Sequence, residues 1–329
     1  MLLARKYSVF SNYSKNNTAK KLIDKKSFNA IIMPKKIKPT LAFFGHHKGA
    51  TTWIINILKQ VCFDLGLKHA VASNSNKFQQ DLSRFIDQNK IGFLFYVNAD
   101  YRYVSSLSNF KGFHVVRDPR DVIVSGYFSH RYSHSTENWE KLILHRAQLE
   151  KASKEEGLLL EMEFSRQFLE EMYHWNYDLP NVLELRMENI IQNPYESFIN
   201  IFQFLEIIDD SRSNTQKCLK YFLSKAVVRT FNKYTSFQLT CDRILMSRLL
   251  EIVYINRFTH KSQGRRLGEE DITSHYRKGV PGDWKNHFNS EHVQFFKANY
   301  NDLLLKLGYE SCLNWEHTPT DTRLLYPVN

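Results

Sequence analysis

The chain has 329 residues, of which 43% are hydrophobic and 14% aromatic, which favours a compact globular protein with one large α/β domain or two smaller ones. Its formal net charge of +11 indicates an anionic partner: nucleic acid, an anionic membrane surface or a polyanionic small molecule. Basic residues occur along the whole chain, so charge alone does not choose among these partners.

The cysteines argue against a disulfide framework or a zinc site. Cys62, Cys218, Cys241 and Cys312 are widely separated and form no CxxC pair, so a reducing compartment, the cytoplasm, is expected. No apolar run reaches the ~18 to 20 residues that a membrane span needs, and no span is predicted.

Residues 1–39 form a basic segment with ten Lys or Arg residues and weak hydrophobic periodicity. This pattern predicts a loosely ordered basic arm, with a targeting segment as the alternative.

The first predicted element is a strand at Leu41–Gly45, followed directly by the turn HHKGATTW and by a helix that begins near Thr51. A strand, a turn of small residues and a helix N-terminus together offer backbone N–H groups to a phosphate. The turn is not a Walker A loop, because GxxxxGK[ST] is absent. A helix cap with an exposed lysine is the alternative interpretation. The candidate contacts are Lys48, Gly49, Ala50, Thr51 and Thr52.

A second strand over Ile91–Tyr101 ends in polar residues and precedes the segment FHVVRDPRDVIVSGYFSH, residues 113–130. Its apolar run stops at a charged turn in which Asp118 is suited to cap a helix. Arg117 at the strand end and Ser125 in the second helical turn are placed to reach one anion. An arginine that only caps strand carbonyls is the alternative.

The hydrophobic periodicity of the sequence after residue 130 predicts helices between residues 131 and 179, a strand and a helix from Asn181, and two amphipathic helices over residues 209–260. YRKGVPGDWKNHF, residues 276–288, contains Gly and Pro that predict a loop carrying Arg277 and Lys278. Taken alone, it is equally typical of a basic surface loop. A final helix is predicted to end near Gly308.

These three motifs, in this order, resemble those of the sulfotransferases that use 3′-phosphoadenosine 5′-phosphosulfate (PAPS). HKGATTW is similar to the family's 5′-phosphosulfate loop PKSGTTW, RDPRDVIVSG to its 3′-phosphate segment, and RKGVPGDWKNHF to its RKGxxGDWKNHF loop. The resemblance spans about residues 41–308.

The resemblance implies a three-layer α/β fold with a parallel central sheet, a P-loop-type strand-loop-helix phosphate site and helices on both faces. It divides the chain into a basic arm (1–39), a sulfotransferase domain (40–310) and a C-terminal tail (311–329).

The same resemblance assigns roles to site residues. Lys48 would neutralise charge on the bridging oxygen, and the 5′-phosphate loop 48–53 would hold the cofactor, with Trp53 packing on the adenine. The 3′-phosphate would be bound by Arg117, Ser125, Arg277, Lys278 and Gly279. No metal is expected, since no His/Cys/Asp cluster at ligand spacing is visible.

The chain departs from the family pattern in two places that matter. Met187 stands where the family has a tyrosine that touches the adenine, and no histidine follows the second strand, where many members place the general base. Asp100 is therefore predicted as the base, with the alternative that it only caps the next turn. His46, His47 and His130 are further candidates.

The expected function is sulfuryl transfer from PAPS to a hydroxyl or amine acceptor, which is a small molecule, glycan or lipid, with PAP (adenosine 3′,5′-bisphosphate) as the product. A P-loop-type nucleotide kinase or NTPase, and a non-catalytic nucleotide- or nucleic-acid-binding protein, are the alternatives. No nucleic-acid partner is expected, and the acceptor and oligomeric state are left open by the sequence.

Overall fold

The computed structural model describes residues 38–209 and 241–315, with single positions 221, 223, 226 and 230 between them. Five strands form the main sheet: β1 (Thr40–Gly45), β2 (His69–Ala72), β3 (Phe93–Tyr96), β4 (Phe110–Val116) and β5 (Val182–Arg186). Two short strands, β6 (Ile208–Asp209) and β7 (Ile244–Leu245), pair separately.

Helices connect these strands and complete the fold. The helices of the described ranges are α1 (Thr51–Leu65), α2 (Leu82–Asn89), α3 (Tyr101–Val104), α4 (Pro119–Phe128), α5 (Glu140–Lys151), α6 (Lys154–Phe164), α7 (Arg166–Tyr173), α8 (Met187–Gln192), α9 (Pro194–Phe204), α10 (Met246–Ile255), α11 (Phe258–Lys261) and α12 (Ser290–Leu307). None of them combines the length and apolarity that a membrane crossing requires.

The main sheet is parallel throughout and has the strand order β2-β3-β1-β4-β5. From β1 the chain first builds β2 and β3 on one side, then crosses to β4 and β5 on the other. The carboxyl ends of β1 and β4 are therefore the point at which the direction of winding switches, the usual ligand position in open α/β sheets.

Alternation along β1 explains why helices cover both faces of the sheet. Phe43 stacks on Phe113 and packs in a core cluster with α1 and α9, whereas Phe44 packs in a second cluster with α2 and Trp175. Because both faces are buried, the strand reads as a continuous apolar run, as is typical of parallel sheets.

The segment after β4 folds as its sequence predicts. Asp118 caps α4 by accepting from the backbone N–H of Arg120 at 2.9 Å, and Pro119 occupies the first helical turn. A π-helical turn over Ser129–Ser133 continues α4.

The predicted fold class is confirmed, and so are the strand-turn-helix units at β1–α1 and β4–α4 and the helices between residues 131 and 179. The loop over residues 276–288 contains one short 3₁₀ turn, Asp283–Asn286. Trp315, within the predicted tail, is buried against Trp284. The predicted arm and much of the 209–260 helical region lie outside the described residues.

Candidate functional site

A cavity of about 290 Å³ lies where the carboxyl ends of β1 and β4 face the loop over residues 275–280. Segments from three distant parts of the chain line it, and they are the three motifs singled out in the sequence. The predicted cofactor contacts that line it are Lys48, Ala50, Thr51, Thr52, Trp53, Arg117, Ser125, Arg277, Lys278 and Gly279.

The turn between β1 and α1 presents the helix N-terminus to this cavity. Ala50 is the N-cap residue, has a φ of 58° and makes no side-chain capping bond, so the first N–H groups of α1 keep no helical partner. Gly49 lies beneath the turn, where its N–H donates to the carbonyl of His46 at 3.0 Å. A Cβ on Gly49 would lie 3.1 Å from that oxygen, which accounts for the glycine.

Arg117 joins β4 to this turn. Its Nη1 donates to the carbonyl oxygen of Lys48 at 3.1 Å, while its buried Nε has no hydrogen-bond partner among the described residues. A buried guanidinium N–H without an acceptor costs free energy. The site therefore fits an anionic oxygen beside Arg117.

Buried carboxylates hold the C-terminal loop over the cavity. Asp121 of α4 accepts from the backbone N–H of Gly282 at 2.6 Å and of Trp284 at 2.9 Å. Asp283 pairs with Arg277 at 2.6 Å and with Lys278 at 2.5 Å. These bonds fix the position of the two cations that the sequence assigned to a 3′-phosphate.

Gly279 is required by backbone and packing together. Its φ is 75°, and a Cβ there would lie 2.6 Å from the ring of Phe258. Phe258 begins α11, so the glycine allows the loop to close tightly on that helix.

The charged side chains that line the cavity are all cationic in the described residues, although Asp283 pairs with two of them from outside the lining. Five cationic side chains line it and no carboxylate does, among the described residues; the cations are Lys48, Arg117, Arg257, Arg277 and Lys278. Burial and the neighbouring Arg117 and Arg277 lower the pKa of Lys48 to about 7, against the opposing effect of Glu161. This arrangement is suited to a ligand with several negative charges.

Apolar side chains line the remainder of the cavity, where a flat ring system would fit. They are Trp53, Met187, Ile191, Val253, Phe258 and Leu267. The buried Nε1 of Trp53 has no hydrogen-bond partner among the described residues. Met187 thus lies at the cavity, as the tyrosine it replaces would be expected to do.

Asp100 is not brought to this cavity. Its carboxylate accepts from the backbone N–H of Arg102 at 2.9 Å as the cap of α3, and it pairs with the Arg102 guanidinium at 2.5 Å. The structure therefore places Asp100 in the capping role that was the alternative to its predicted role as the base.

Histidines line the cavity instead, and two of the three were not singled out in the sequence. His275 lies 3.0 Å from the Thr52 hydroxyl, and burial followed by Lys48 and His134 lowers its pKa to about 4. His134 and His47 also line the cavity. No local motif surrounds His134, whereas His275 directly precedes the motif over residues 276–288 and could have been considered from that position.

Two groups of side chains in the described ranges have the composition of a cation site, although sequence spacing suggested none. The first is His130, His145 and Glu161, in which both imidazoles bond one carboxylate oxygen, at 2.9 and 2.8 Å. The second is Glu270, Asp283 and His287. In the first group both imidazoles pair with the Glu161 carboxylate, and in the second Glu270 pairs with Arg277 while His287 pairs with Asp283.

A parallel α/β sheet with a phosphate-type turn at its switch point, opening on a cationic and partly apolar cavity, is the arrangement in which open α/β sheets hold phosphate-bearing ligands. The model of the sulfotransferase domain family matches residues 41–308, and the chain belongs to this family.

Two curated relatives extend this comparison. A 3-alpha-hydroxysteroid sulfotransferase from Cavia porcellus is 28% identical over 215 residues, which is 64% of this chain and 61% of the relative. Sulfotransferase 2A6 from Mus musculus is 24% identical over 204 residues, 60% of this chain and 58% of the relative. The alignments therefore span about three fifths of each relative's length.

Two solved structures are also similar to this chain. Mouse sulfotransferase SULT7A1 complexed with PAP gives a TM-score of 0.49 at 16% identity, over 84% of this chain and 87% of that one. Retinol dehydratase in complex with androsterone and PAP gives 0.40 at 14% identity, over 82% and 81%.

Proposed function

We propose that this protein transfers a sulfuryl group from PAPS to a hydroxyl or amine group of a small molecule and releases PAP. The observation that carries the proposal is the cavity at the β1–β4 switch point, which has five cations, no lining carboxylate in the described residues and an unpartnered Nε on Arg117. Membership of the sulfotransferase family supports it.

The residues present fit this cofactor. Thr51 and Thr52, with the N–H groups that begin α1, would hold the 5′-phosphate. Arg117, Ser125 and the Arg277–Gly279 segment would hold the 3′-phosphate, and Trp53 would pack on the adenine. When bound, PAPS supplies the sulfuryl group and its leaving phosphate.

Lys48 acts on the charge that develops during transfer. It lies at the start of the turn, inside the cavity, where burial strengthens electrostatic interactions. An ammonium at that position stabilises the bridging oxygen more as its negative charge grows, and this is the condition for lowering a reaction barrier.

A calorimetric comparison of PAP with adenosine 5′-monophosphate tests this assignment. PAP should bind at least tenfold more tightly, since each charge-assisted contact to the 3′-phosphate contributes roughly 1.5–3 kcal/mol. Equal affinity for the two nucleotides would contradict it. The variant Arg117→Gln removes one of those contacts, so it should reduce the difference in affinity between PAP and adenosine 5′-monophosphate.

The same titration with ATP separates the alternative functions. A kinase or NTPase needs a magnesium carboxylate beside the phosphates, and no described residue lining the cavity supplies one. Tighter binding of ATP with magnesium than of PAP would support that alternative. Binding of oligonucleotides in competition with PAP would favour a nucleic-acid-binding protein.

We propose a hydroxyl-bearing small molecule, such as a steroid or a phenol, as the acceptor rather than a glycan or a membrane lipid. The name of the Cavia porcellus relative, a 3-alpha-hydroxysteroid sulfotransferase, supports this class. Transfer of ³⁵S from labelled PAPS should occur with androsterone or 1-naphthol and not with 5α-androstane-3,17-dione, which lacks the hydroxyl group. Transfer to glycans or lipids alone would overturn the acceptor class.

We further propose a cytoplasmic protein with a catalytic domain over residues 40–310, a basic arm and a C-terminal tail. The free thiols of Cys62 and Cys312 and the family match over residues 41–308 support this organisation. Limited proteolysis with mass spectrometry should cut first before residue 40, and a fluorescent fusion should distribute through the cytoplasm. Early cleavage within residues 40–310 or retention in another compartment would contradict it.

A further inference from the structure

Two hydrogen-bonded chains of buried histidine side chains begin at adjacent residues, His46 and His47. Only the chain that begins at His47 reaches the cavity. His47 lines the cavity beside Lys48, whereas His46 is fully buried beneath the turn. Each chain passes from a first histidine to a second and ends on a glutamate. The difference between the two chains identifies a function for one of them.

The chain from His47 is continuous. Nε2 of His47 lies 2.9 Å from Nε2 of His130, and Nδ1 of His130 lies 2.9 Å from Oε2 of Glu161. That oxygen also bonds Nε2 of His145 at 2.8 Å, and Oε1 accepts from the Ser165 hydroxyl at 2.6 Å. Glu161 is completely buried, so its charge is directed entirely at these partners.

The protons along this chain can be placed from the charge of Glu161. Burial alone would raise its pKa, but His130 and then His145 lower the pKa to about 2, so the carboxylate is ionised and only accepts. Nδ1 of His130 must therefore donate to this carboxylate. When the His130 ring is neutral, its Nε2 accepts, and Nε2 of His47 donates. Nδ1 of His47 keeps its lone pair and makes no hydrogen bond to a described residue.

We propose that His47 is the general base of the transfer reaction, with His130 and Glu161 as positioning residues that fix its tautomer. The inference rests on the proposed sulfotransferase function. Nδ1 of His47 accepts the proton of the acceptor hydroxyl while the acceptor oxygen bonds to sulfur. The bond between sulfur and the 5′-phosphate oxygen breaks, and its electron pair remains on PAP beside Lys48.

The surroundings of His47 suit this role. Burial lowers its pKa well below the usual value, and the facing cations or imidazoles of His130, Lys48 and His134 lower it further, so the ring is neutral at physiological pH. Its face stacks on Phe168 with the ring centroids 4.3 Å apart. The ring is thus held in one orientation without titrating.

The chain from His46 provides an internal comparison. His46 lies 2.8 Å from His114, which lies 2.5 Å from Glu184, and Trp175 donates to the same carboxylate at 2.9 Å. Burial raises the pKa of Glu184 to about 8 and lowers that of His114 to about 3. This second chain is neutral and does not line the cavity, so it serves packing.

The first test replaces the base and restores it chemically. In ³⁵S transfer from labelled PAPS to androsterone or 1-naphthol, whichever the wild type uses faster, His47→Ala should lower kcat by about 10²- to 10⁴-fold. Its PAP affinity should stay within a few-fold, and added imidazole should recover part of the rate. Turnover within a few-fold of the wild type, or no imidazole rescue in a variant that still binds PAP, would overturn the proposal.

The second test uses the matched carboxylates. Glu161→Gln removes the negative charge that stabilises a protonated imidazole in this hydrogen-bonded chain, so it should lower kcat and move the acid limb of the pH profile to lower pH. Glu184→Gln, at the end of the neutral chain, should leave that limb in place. Equal shifts in the two variants, or none in Glu161→Gln, would contradict the assignment.

A third readout does not depend on turnover. Nitrogen-15 NMR of the wild-type protein should show His47 protonated at Nε2 and unprotonated at Nδ1, and the reverse tautomer would overturn the proposal. The failures are distinguishable. If the wild type binds no PAP, the proposed sulfotransferase function is contradicted. If the wild type is active and the His47→Ala variant is equally active, only the assignment of His47 as the base is contradicted.

Discussion

Lys48 lines the cavity and has a pKa close to neutral pH, so its protonation should change when an anionic ligand binds. Its pKa is lowered to about 7, chiefly by burial and then by Arg117, and no carboxylate among the described residues lines the cavity. The phosphates of PAP would supply the missing negative charge and raise this pKa again. Binding near neutral pH should therefore take up a proton.

Calorimetry in two buffers of different ionisation enthalpy measures this uptake. With a free pKa of about 7, roughly three quarters of the Lys48 side chains are neutral at pH 7.5, so binding should take up about 0.7 proton per PAP. Lys48→Met should abolish the uptake and lower turnover by about two to three orders of magnitude. Unchanged uptake in that variant would assign the proton to another group.

For single residues, local motifs identified side chains that line the cavity, whereas the residue predicted as the base does not line it. Lys48 and Arg117 each sit in a short signature beside a strand end, so sequence neighbours were sufficient. The His130–Glu161 pair is 31 residues apart and joins two helical segments without a motif. Asp100 was predicted from its position after a strand, but its partner Arg102, two residues away, engages the carboxylate.

At the scale of elements, one carboxylate attaches the loop over residues 276–288 to α4. Asp121 accepts two backbone N–H groups of that loop and does not line the cavity. Asp121→Ala should therefore speed hydrogen exchange across this loop and weaken PAP binding about tenfold or more, since each charge-assisted bond contributes roughly 1.5–3 kcal/mol.

Asp81→Ala is a suitable control for that variant. Asp81 caps α2, is exposed and lies outside the cavity lining, so its loss should cost about 1 kcal/mol of stability and leave PAP affinity unchanged. Unaltered exchange in residues 276–288 of Asp121→Ala would show that other contacts hold the loop.

The sequence predicts an element when local residue preferences determine its conformation. It does not predict contacts between positions far apart in the chain. Gly279, Pro281 and Gly282 predict a loop from their backbone preferences alone. The bond between Asp121 and the N–H of Trp284 joins positions 163 residues apart, and no periodicity reports it. The sequence therefore predicted the loop but not its anchor.

For the whole molecule, apolar runs predicted individual strands and the family resemblance implied a parallel sheet, but neither specified the order of the strands. β1 lies between β3 and β4, and nothing in LAFFG specifies either neighbour. The approach of Lys48 and Arg117 depends on this order, because the two residues follow adjacent strands. A different strand order would have separated the same motifs.

Basic residues occur along the whole chain, but the excess of positive over negative charge is concentrated in the N-terminal segment. Residues 1–37 contain nine of the 45 basic residues and one of the 34 acidic ones, a net charge of +8, so residues 38–329 carry only +3. The overall charge of the protein is therefore a property of the N-terminal segment, whereas the charge that selects PAP is the local cluster at the cavity. Binding of polyanions by the N-terminal segment and binding of PAP at the cavity should therefore be separable.

Deletion of residues 1–37 tests this separation and leaves β1, which begins at Thr40, intact. Retention on heparin and low-salt binding to a single-stranded oligonucleotide should fall sharply, because such binding depends on the number of cations that neutralise phosphates. PAP affinity should stay within a few-fold of the full chain, since the described residues that line the cavity all lie at position 47 or beyond. A large loss of PAP affinity would place the N-terminal segment in the nucleotide site, and undiminished heparin retention would locate polyanion binding within residues 38–329.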